Sequence, residues 1–109
     1  MAPPVIFVDV DDTLIRSFGS KRMPMTSMMA LVRGLKEHGA DLYCWSSGGA
    51  DYARASAVEI GLVDCFTAFL PKPGLLLDDV NVVDWRLPHL HPAECTSMTA
   101  EEVLSRLKR

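Results

Sequence analysis

The stretch that decides the fold is Val5-Ile6-Phe7-Val8-Asp9-Val10-Asp11-Asp12-Thr13, an apolar run that ends in carboxylates. The run is short and partly β-branched, and it predicts a buried strand of a parallel sheet over residues 5–9. A second run, Leu75-Leu76-Leu77, precedes Asp78 and Asp79 and predicts another such strand. The carboxyl ends of parallel strands line the ligand crevice of open α/β sheets. If both strands belong to one sheet, we therefore expect up to five carboxylates to converge there.

Such a cluster of carboxylates needs compensating positive charge. Two bare carboxylates about 4 Å apart repel by roughly 4 kcal/mol at an effective dielectric near 20. The cluster persists only if a cation lies within it or some members stay protonated. Carboxylate oxygens suit a hard divalent cation, and the sequence therefore predicts a bound Mg²⁺.

Apolar runs alternate with helical patterns along the chain, which is typical of βαβ units. The remaining predicted elements are a helix capped by Thr26 or Ser27 and ended by Gly39, a strand over 42–45, a helix over 50–60, a strand over 65–70, a short edge strand within 82–87, and a last helix opened by the capping box Thr99–Glu102. Residues 12–25 are predicted to be irregular and 88–96 to be a loop. The expected fold is one α/β domain over residues 1–109, with a mostly parallel sheet and helices on both faces.

Composition narrows the class of protein. The apolar fraction is 49%, which supports a compact core, while a net charge of -3 and a pI near 5.5 give no basic footprint for nucleic acid. No apolar run reaches the length of a membrane span, and the start Met1-Ala2-Pro3-Pro4 does not resemble a signal peptide. We therefore expect a cytoplasmic protein without a membrane partner.

The three cysteines are odd in number, and their spacing matches no zinc pattern. Cys44 and Cys65 lie in apolar runs and are interpreted as small buried hydrophobic side chains, and Cys95 completes the odd count. A nucleophilic Cys44 is not favoured, because no histidine lies near it in sequence.

Asp9 and Asp11 can act on one substrate only if the backbone turns sharply after Asp9, because alternate side chains of a strand point to opposite faces. Asp12 and Thr13 are compatible with such a turn. A carboxylate can attack a phosphoryl group and form an aspartyl phosphate. A second carboxylic acid can protonate the leaving oxygen and later activate water.

Other candidate site residues follow the second and third strands. Ser46 and Ser47 end a strand just before a helix N-terminus, where hydroxyl and backbone N–H groups suit a phosphate. Gly48 allows the backbone to approach that phosphate closely. Lys72, between two prolines, is placed to neutralise phosphoryl oxygens and excess carboxylates.

This ordered set resembles the haloacid dehalogenase-like superfamily, chiefly Mg²⁺-dependent phosphatases that act through an aspartyl phosphate. The matching motifs span residues 5–79 and occur in the order of that family. The first motif, D-x-D-x-[T/V] after a strand, is matched by Asp9, Asp11 and Thr13. The second, a Ser at a strand end, is matched by Ser46, and the third, a Lys, is matched by Lys72. The fourth, a late acidic pair, is matched by Asp78 and Asp79. The resemblance implies a three-layer Rossmann-like fold.

The resemblance also implies a role for each matching residue. Asp9 would be nucleophile and metal ligand, and Asp11 would be general acid/base with its backbone carbonyl on the metal. Thr13 would support the turn, and Ser46 and Lys72 would hold the phosphoryl group. Asp79 would bind the metal directly or through water, with Asp78 as neighbour or alternative.

Two features depart from the family pattern, and the sequence leaves the substrate open. Asp12 stands where many members have Gly, and neither interval that carries a cap domain in larger members is long enough here. The chain thus resembles a capless member, and such members act on macromolecular substrates or use a neighbouring subunit as a lid. The substrate class stays open. The alternatives are a phosphate- or metal-binding regulatory protein without turnover and, less favoured by the motif order, a two-component receiver domain.

Overall fold

The computed structural model describes residues 2–107 and is built around a parallel sheet. In chain order its elements are strands β1 (Val5–Asp9), β2 (Ile15–Phe18) and β3 (Lys21–Pro24), helix α1 (Thr26–Glu37), strand β4 (Asp41–Ser46), helix α2 (Ala50–Glu59), strand β5 (Ala68–Pro71), and helices α3 (Pro92–Cys95) and α4 (Ala100–Leu104). Two short 3-10 helices cover Val63–Cys65 and Val82–Asp84. None of the helices within residues 2–107 has the length and apolar character needed to cross a membrane.

The main sheet has three parallel strands in the order β1-β4-β5. The register places Asp9 opposite Trp45 and Ser46 opposite Pro71. All three strands run in the same direction, so Asp9, Ser46 and the residue after Pro71 lie at one edge of the sheet. The prediction of a mostly parallel α/β sheet is confirmed.

The core lies against one face of this sheet. Strand alternation turns Val8, Leu42 and Cys44 toward that face, where apolar side chains of α1 and α2 cover them. On the other face Phe7 packs against Tyr43 and Trp45 with ring-centroid distances of 5.2 and 4.8 Å. Phe7 is 43% exposed there. The three-layer arrangement with helices on both faces is therefore not confirmed.

Residues 12–25, predicted to be irregular, instead form a hairpin, so that prediction is wrong. β2 and β3 pair antiparallel, with Phe18 opposite Lys21. Gly19 has a φ of 59°, as the first position of a two-residue type II′ hairpin turn requires. Ile15 is buried and fixes which face of the hairpin packs inward. Pro24 is tolerated because it lies at the end of a strand in a two-stranded sheet.

The strand predicted at Leu75–Leu77 is not formed, and neither is the edge strand predicted within residues 82–87. Leu77 is 89% exposed. The residues that follow make local hydrogen bonds instead. The Asp78 carboxylate accepts the Val80 N–H at 2.8 Å, and the Asn81 side chain accepts the Val83 N–H at 3.1 Å. Side-chain bonds of this kind compete with a sheet ladder. A run of three apolar residues does not form a strand unless a neighbouring strand pairs with it.

Helix boundaries agree with the sequence patterns in part. The capping box at α4 is confirmed, since Thr99 Oγ1 accepts the Glu102 N–H at 3.1 Å and Glu102 Oε1 accepts the Thr99 N–H at 3.2 Å. The cap predicted for α1 is wrong, because Met25 occupies that position without a side-chain bond. β5 begins at Ala68 rather than residue 65, and α3 lies within the predicted loop 88–96.

Candidate functional site

A tight turn directly after β1 places the first acidic motif. The Val10 carbonyl accepts three backbone N–H groups, from Thr13, Leu14 and Ile15, at 3.1, 2.8 and 3.1 Å. Burial of Val10 and Leu14 anchors this turn in the core. The chain therefore reverses immediately after Asp9, as simultaneous access of Asp9 and Asp11 to one substrate requires. The predicted turn is confirmed.

Asp9 is held at both of its carboxylate oxygens. Lys72 Nζ lies 3.0 Å from Oδ1, and the Thr13 hydroxyl donates to Oδ2 at 3.2 Å. The Asp9 side chain is 29% exposed, so it is accessible from solvent while its orientation is constrained. The structure brings together three residues that the sequence predicted for one site.

The end of β4 positions Lys72 through the backbone. The Lys72 N–H donates to the Ser46 carbonyl at 2.9 Å, which extends the β4–β5 ladder one residue beyond Pro71. Lys72 is thereby fixed next to the strand end that carries Ser46. The Lys72 side chain extends across the end of β4, which lies between β5 and β1 in the sheet, and reaches Asp9.

The turn after β4 is compact. Ser46 is buried, and its Oγ accepts the Gly48 N–H at 3.0 Å. Gly49 has a φ of 104°, a conformation that L side chains rarely adopt, whereas Ser47 is exposed. A Cβ on Gly48 would lie 2.9 Å from Tyr52 Cδ2. The glycine expected to admit a phosphate thus also makes room for a tyrosine ring.

Asp11 has a partner that sequence reasoning missed. The Tyr52 hydroxyl, in the first turn of α2, donates to Asp11 Oδ1 at 2.6 Å. These residues are far apart in sequence, and no motif connects them. Only the spatial proximity of the β1 turn and the start of α2 reveals the contact.

Arg22 on β3 extends this contact into a network. Its Nη1 donates to the Tyr52 hydroxyl oxygen at 2.9 Å, and its Nη2 donates to Ser56 Oγ at 3.0 Å. Its Nε donates to Glu59 at 3.0 Å. The hairpin is therefore fastened to α2 through one guanidinium group. The hydrogen bond with Tyr52 raises the pKa of Arg22, followed by a smaller effect of Glu59, so the side chain stays charged.

Cys44 lies under this site but is not a candidate nucleophile. Burial, with a smaller contribution from the charge of Asp9, raises the pKa of the Cys44 thiol to about 12. A thiolate is the reactive form, so Cys44 is inert at neutral pH. The interpretation of Cys44 as a small buried hydrophobic residue is confirmed, whereas the same interpretation of Cys65 is not, because Cys65 is only partly buried.

Asp78 and Asp79 are exposed and do not join the first motif in a ligand cluster. Within residues 2–107 the structure holds no group of three or more His, Cys, Asp or Glu side chains placed to bind a metal ion. The residues as arranged therefore do not fit the complete Mg²⁺ ligand set that the resemblance implies. Asp9 and the Asp11 segment supply only part of that set.

Comparisons with known proteins give no family assignment. No protein-family model matches the chain, and neither a curated protein nor a solved structure does. A function can therefore be inferred only from the residues and their geometry.

Proposed function

We propose that this protein is a phosphomonoesterase that works through an aspartyl phosphate on Asp9. The observation that carries the proposal is the Asp9 carboxylate held between the Lys72 ammonium group and the Thr13 hydroxyl at the carboxyl edge of the sheet. A carboxylate constrained in this way is oriented for attack, and the adjacent cation can stabilise charge on a phosphoryl group.

The proposed reaction has two steps. An Asp9 oxygen attacks phosphorus, the bond from phosphorus to the leaving oxygen breaks, and Asp11 gives its proton to that oxygen. Water then loses a proton to Asp11 and attacks phosphorus, which breaks the bond to Asp9 and releases inorganic phosphate. Lys72 offsets charge on the transferred group, while the Ser46 and Ser47 hydroxyls offer donors and Gly48, which lacks a Cβ, lets the backbone approach closely.

Mg²⁺ stays part of the proposal as the cofactor that the resemblance implies. It would neutralise phosphoryl and carboxylate charge. Mg²⁺ is often held by only one or two carboxylates together with substrate phosphate and water. Asp9 and the Asp11 carbonyl are the proposed ligands at the first motif, and Asp78 and Asp79 are the ligands proposed from the resemblance alone. No step above depends on them.

The detailed fold, the location and the partners are also proposed from the sequence and the resemblance. A three-layer Rossmann-like, capless haloacid dehalogenase-like fold and a cytoplasmic location are inferred from the sequence. The substrate is a phosphorylated molecule of open class, and a second copy of the chain is a candidate lid. The net charge of -3 does not favour nucleic acid as a partner.

The test is release of inorganic phosphate by the full chain from a broad panel of phosphomonoesters, with and without Mg²⁺. Asp9→Asn removes the nucleophile and is expected to lower kcat/KM by about 10³-fold or more. Asp64→Asn is the matched control, because Asp64 is exposed and lies in the 3-10 helix Val63–Cys65. Its activity is expected to equal that of the unmodified protein.

Two outcomes would contradict the proposal. The first is an absence of phosphate release from every ester, combined with no effect of Asp9→Asn. The second is a stable aspartyl phosphate, detected by mass after incubation with acetyl phosphate, without turnover. That result would favour the regulatory protein of the same fold.

A further inference from the structure

The Tyr52 hydroxyl lies at the centre of a directional chain of hydrogen bonds. It accepts from Arg22 Nη1 at 2.9 Å and contacts Asp11 Oδ1 at 2.6 Å. A guanidinium group can only donate, and a phenol has a single proton. Because Arg22 occupies a lone pair of the hydroxyl oxygen, the Tyr52 proton is directed at Asp11. The contact with Asp11 is therefore a hydrogen bond of fixed direction.

The Tyr52 ring is held by its surroundings as well as by its hydroxyl. One side lies so close to Gly48 that a Cβ there would come within 2.9 Å of the ring. The Arg22 guanidinium carbon lies 5.4 Å from the ring centroid, within cation–π range. With two side-chain torsions and these contacts, Tyr52 has little freedom to move away from Asp11.

Arg22 is in turn anchored at two further points of α2. Its Nη2 bonds Ser56, which is buried, and its Nε bonds the Glu59 carboxylate. The planar guanidinium is suited to such multiple contacts, since its donors have fixed relative directions. The position of the Tyr52 hydroxyl is thus set by both β3 and α2.

Asp11 itself is exposed, so little else restrains its side chain. Tyr52 is its only hydrogen-bonded side-chain partner among residues 2–107 and contacts Oδ1. The second oxygen, Oδ2, is left available. A general acid must place its proton within hydrogen-bond reach of the leaving oxygen, and a displacement of about 1 Å is costly.

We propose that Tyr52 is a positioning residue that orients Asp11 as the general acid/base, with Arg22 holding Tyr52 in place. The inference rests on the proposed phosphatase activity, because it assigns Asp11 a role in that reaction. Tyr52 holds Oδ1, and Oδ2 then faces the leaving oxygen. No contact between Tyr52 and the transferred phosphoryl group is required.

The experiment compares Tyr52→Phe with the unmodified protein on two esters of different leaving-group acidity. p-Nitrophenyl phosphate needs little protonation of its leaving group, whereas ethyl phosphate needs much. With Asp11 poorly oriented, we expect kcat/KM to fall about tenfold or more for ethyl phosphate but less than about threefold for p-nitrophenyl phosphate. Tyr43→Phe is the matched control, because it removes a tyrosine hydroxyl on β4 whose contact, at 3.4 Å, is with Asp41.

The two substrates separate positioning from a merely structural role. An equal loss on both esters, or no loss on either, would overturn the proposal. Tyr43→Phe is expected to leave both values unchanged. A selective loss in Tyr43→Phe as large as that in Tyr52→Phe would also overturn it.

A second measurement keeps this inference distinct from the proposed function. Thermal unfolding midpoints of Tyr52→Phe, Asp11→Ala and the double variant report the contact without any turnover. We expect the Tyr52→Phe shift to be smaller in the Asp11→Ala background, because the hydrogen bond is already lost there. If the unmodified protein has no phosphatase activity, the proposed function fails, and non-additive midpoints still support orientation of Asp11 by Tyr52. Additive midpoints would end the inference itself.

Discussion

Asp12, in the first acidic motif, has an unusual backbone conformation. Its φ is 60°, the one left-handed conformation of a non-glycine residue within residues 2–107. The left-handed region costs an ordinary L residue about 1–2 kcal/mol, and Asp tolerates it better than most. The geometry of the turn therefore favours a residue that tolerates the left-handed region, such as Asp, Asn or Gly.

Replacement of Asp12 should reveal this backbone requirement. We expect Asp12→Ala to lower the free energy of unfolding by about 1 kcal/mol, because Ala has a Cβ and no polar group to stabilise the turn. For Asp12→Gly, relief of strain is offset by greater freedom of the unfolded chain, and the change should stay within about 0.5 kcal/mol. Urea denaturation measures both values.

Asp12→Asn serves as the control for charge at this position. Asn tolerates the left-handed region but cannot form the ion pair of Asp12 with Arg16, whose closest atoms are 3.8 Å apart. Exposed pairs of this kind contribute about 0–1 kcal/mol. Stability of Asp12→Asn close to that of the unmodified protein would assign the effect of Asp12→Ala to the backbone. Equal destabilisation by Asn and Ala would contradict that explanation.

Cysteine reactivity gives a second prediction for single residues. Burial, with a smaller effect of Asp9, raises the pKa of Cys44 to about 12, whereas Cys65 is only half-buried. We expect iodoacetamide at about pH 8 to modify Cys65 in the folded protein and Cys44 only after unfolding. Peptide mass mapping measures both sites. Equally rapid modification of Cys44 in the folded protein would contradict the buried position of β4.

The packing of the hairpin against α2 depends on one side chain, Arg22. Arg22 donates to Tyr52, Ser56 and Glu59, which a lysine with its single nitrogen cannot reproduce. We expect Arg22→Lys to lower the free energy of unfolding by about 1 kcal/mol, as measured by denaturant unfolding. Arg16→Lys on β2 is the control and should change it by less than about 0.5 kcal/mol. Equal effects would contradict a specific role for Arg22.

Contact between α1 and α4 should depend on pH through His38. The hydrogen bond with the Gly34 carbonyl, and then Glu101, raise the pKa of His38 above its ordinary value of 6.5. Its Nδ1 lies 2.8 Å from the Gly34 oxygen, and its Nε2 lies 3.5 Å from Glu101. A raised pKa means that this stabilisation is complete below the unfolded value. It is lost as the pH rises through the folded value.

His38→Gln tests the sign of this dependence. The melting temperature of the variant should fall further below that of the unmodified protein at about pH 5.5 than at about pH 8. In a Glu101→Gln background the difference between the two pH values should shrink. A larger deficit at the higher pH would contradict the assignment.

Short apolar runs formed strands only where a second predicted strand was available to pair with them. β1 and β4 were predicted because each is a short, bounded apolar run, and the two strands pair with each other in the structure. The hairpin was not predicted, because the polar residues 16–22 and Pro24 favoured an irregular segment, although Gly19-Ser20 is a recognised hairpin turn signal. Leu75–Leu77 were wrongly predicted as a strand, because a short apolar run becomes one only when a neighbouring strand pairs with it.

The candidate site combines two kinds of contact, and only one kind could be predicted from the sequence. Asp9, Thr13 and Lys72 were predicted to meet, because strand ends of a parallel sheet share one edge and the motifs occur in a familiar order. The Tyr52–Asp11 contact was not predictable, since it depends on how the β1 turn faces the start of α2. The order of the parallel strands determines which residues lie at one edge of the sheet. The packing of helices and loops determines the individual hydrogen bonds.

The proposed binding of Mg²⁺ would connect the two acidic motifs, and its effect on stability can be measured. A ligand that binds only the folded state stabilises it by about 2.7 kcal/mol at a hundred times its Kd. We expect Mg²⁺ to raise the melting temperature of the unmodified protein, and Asp9→Asn to abolish that rise. Asp84→Asn, a change at an exposed aspartate beyond the second motif, should retain it in full. Loss of the rise in Asp84→Asn would indicate nonspecific binding.

Asp79→Asn decides the ligand set in the same measurement. Asp79 belongs to no three-ligand group within residues 2–107, so the implied set requires the chain around Leu77 to approach Asp9 when the metal binds. We expect Asp79→Asn to reduce the rise in melting temperature if that approach occurs, because a carboxylate ligand is lost. A full rise in Asp79→Asn, together with none in Asp9→Asn, would restrict the metal to the first motif, and the second motif would then have no part in catalysis.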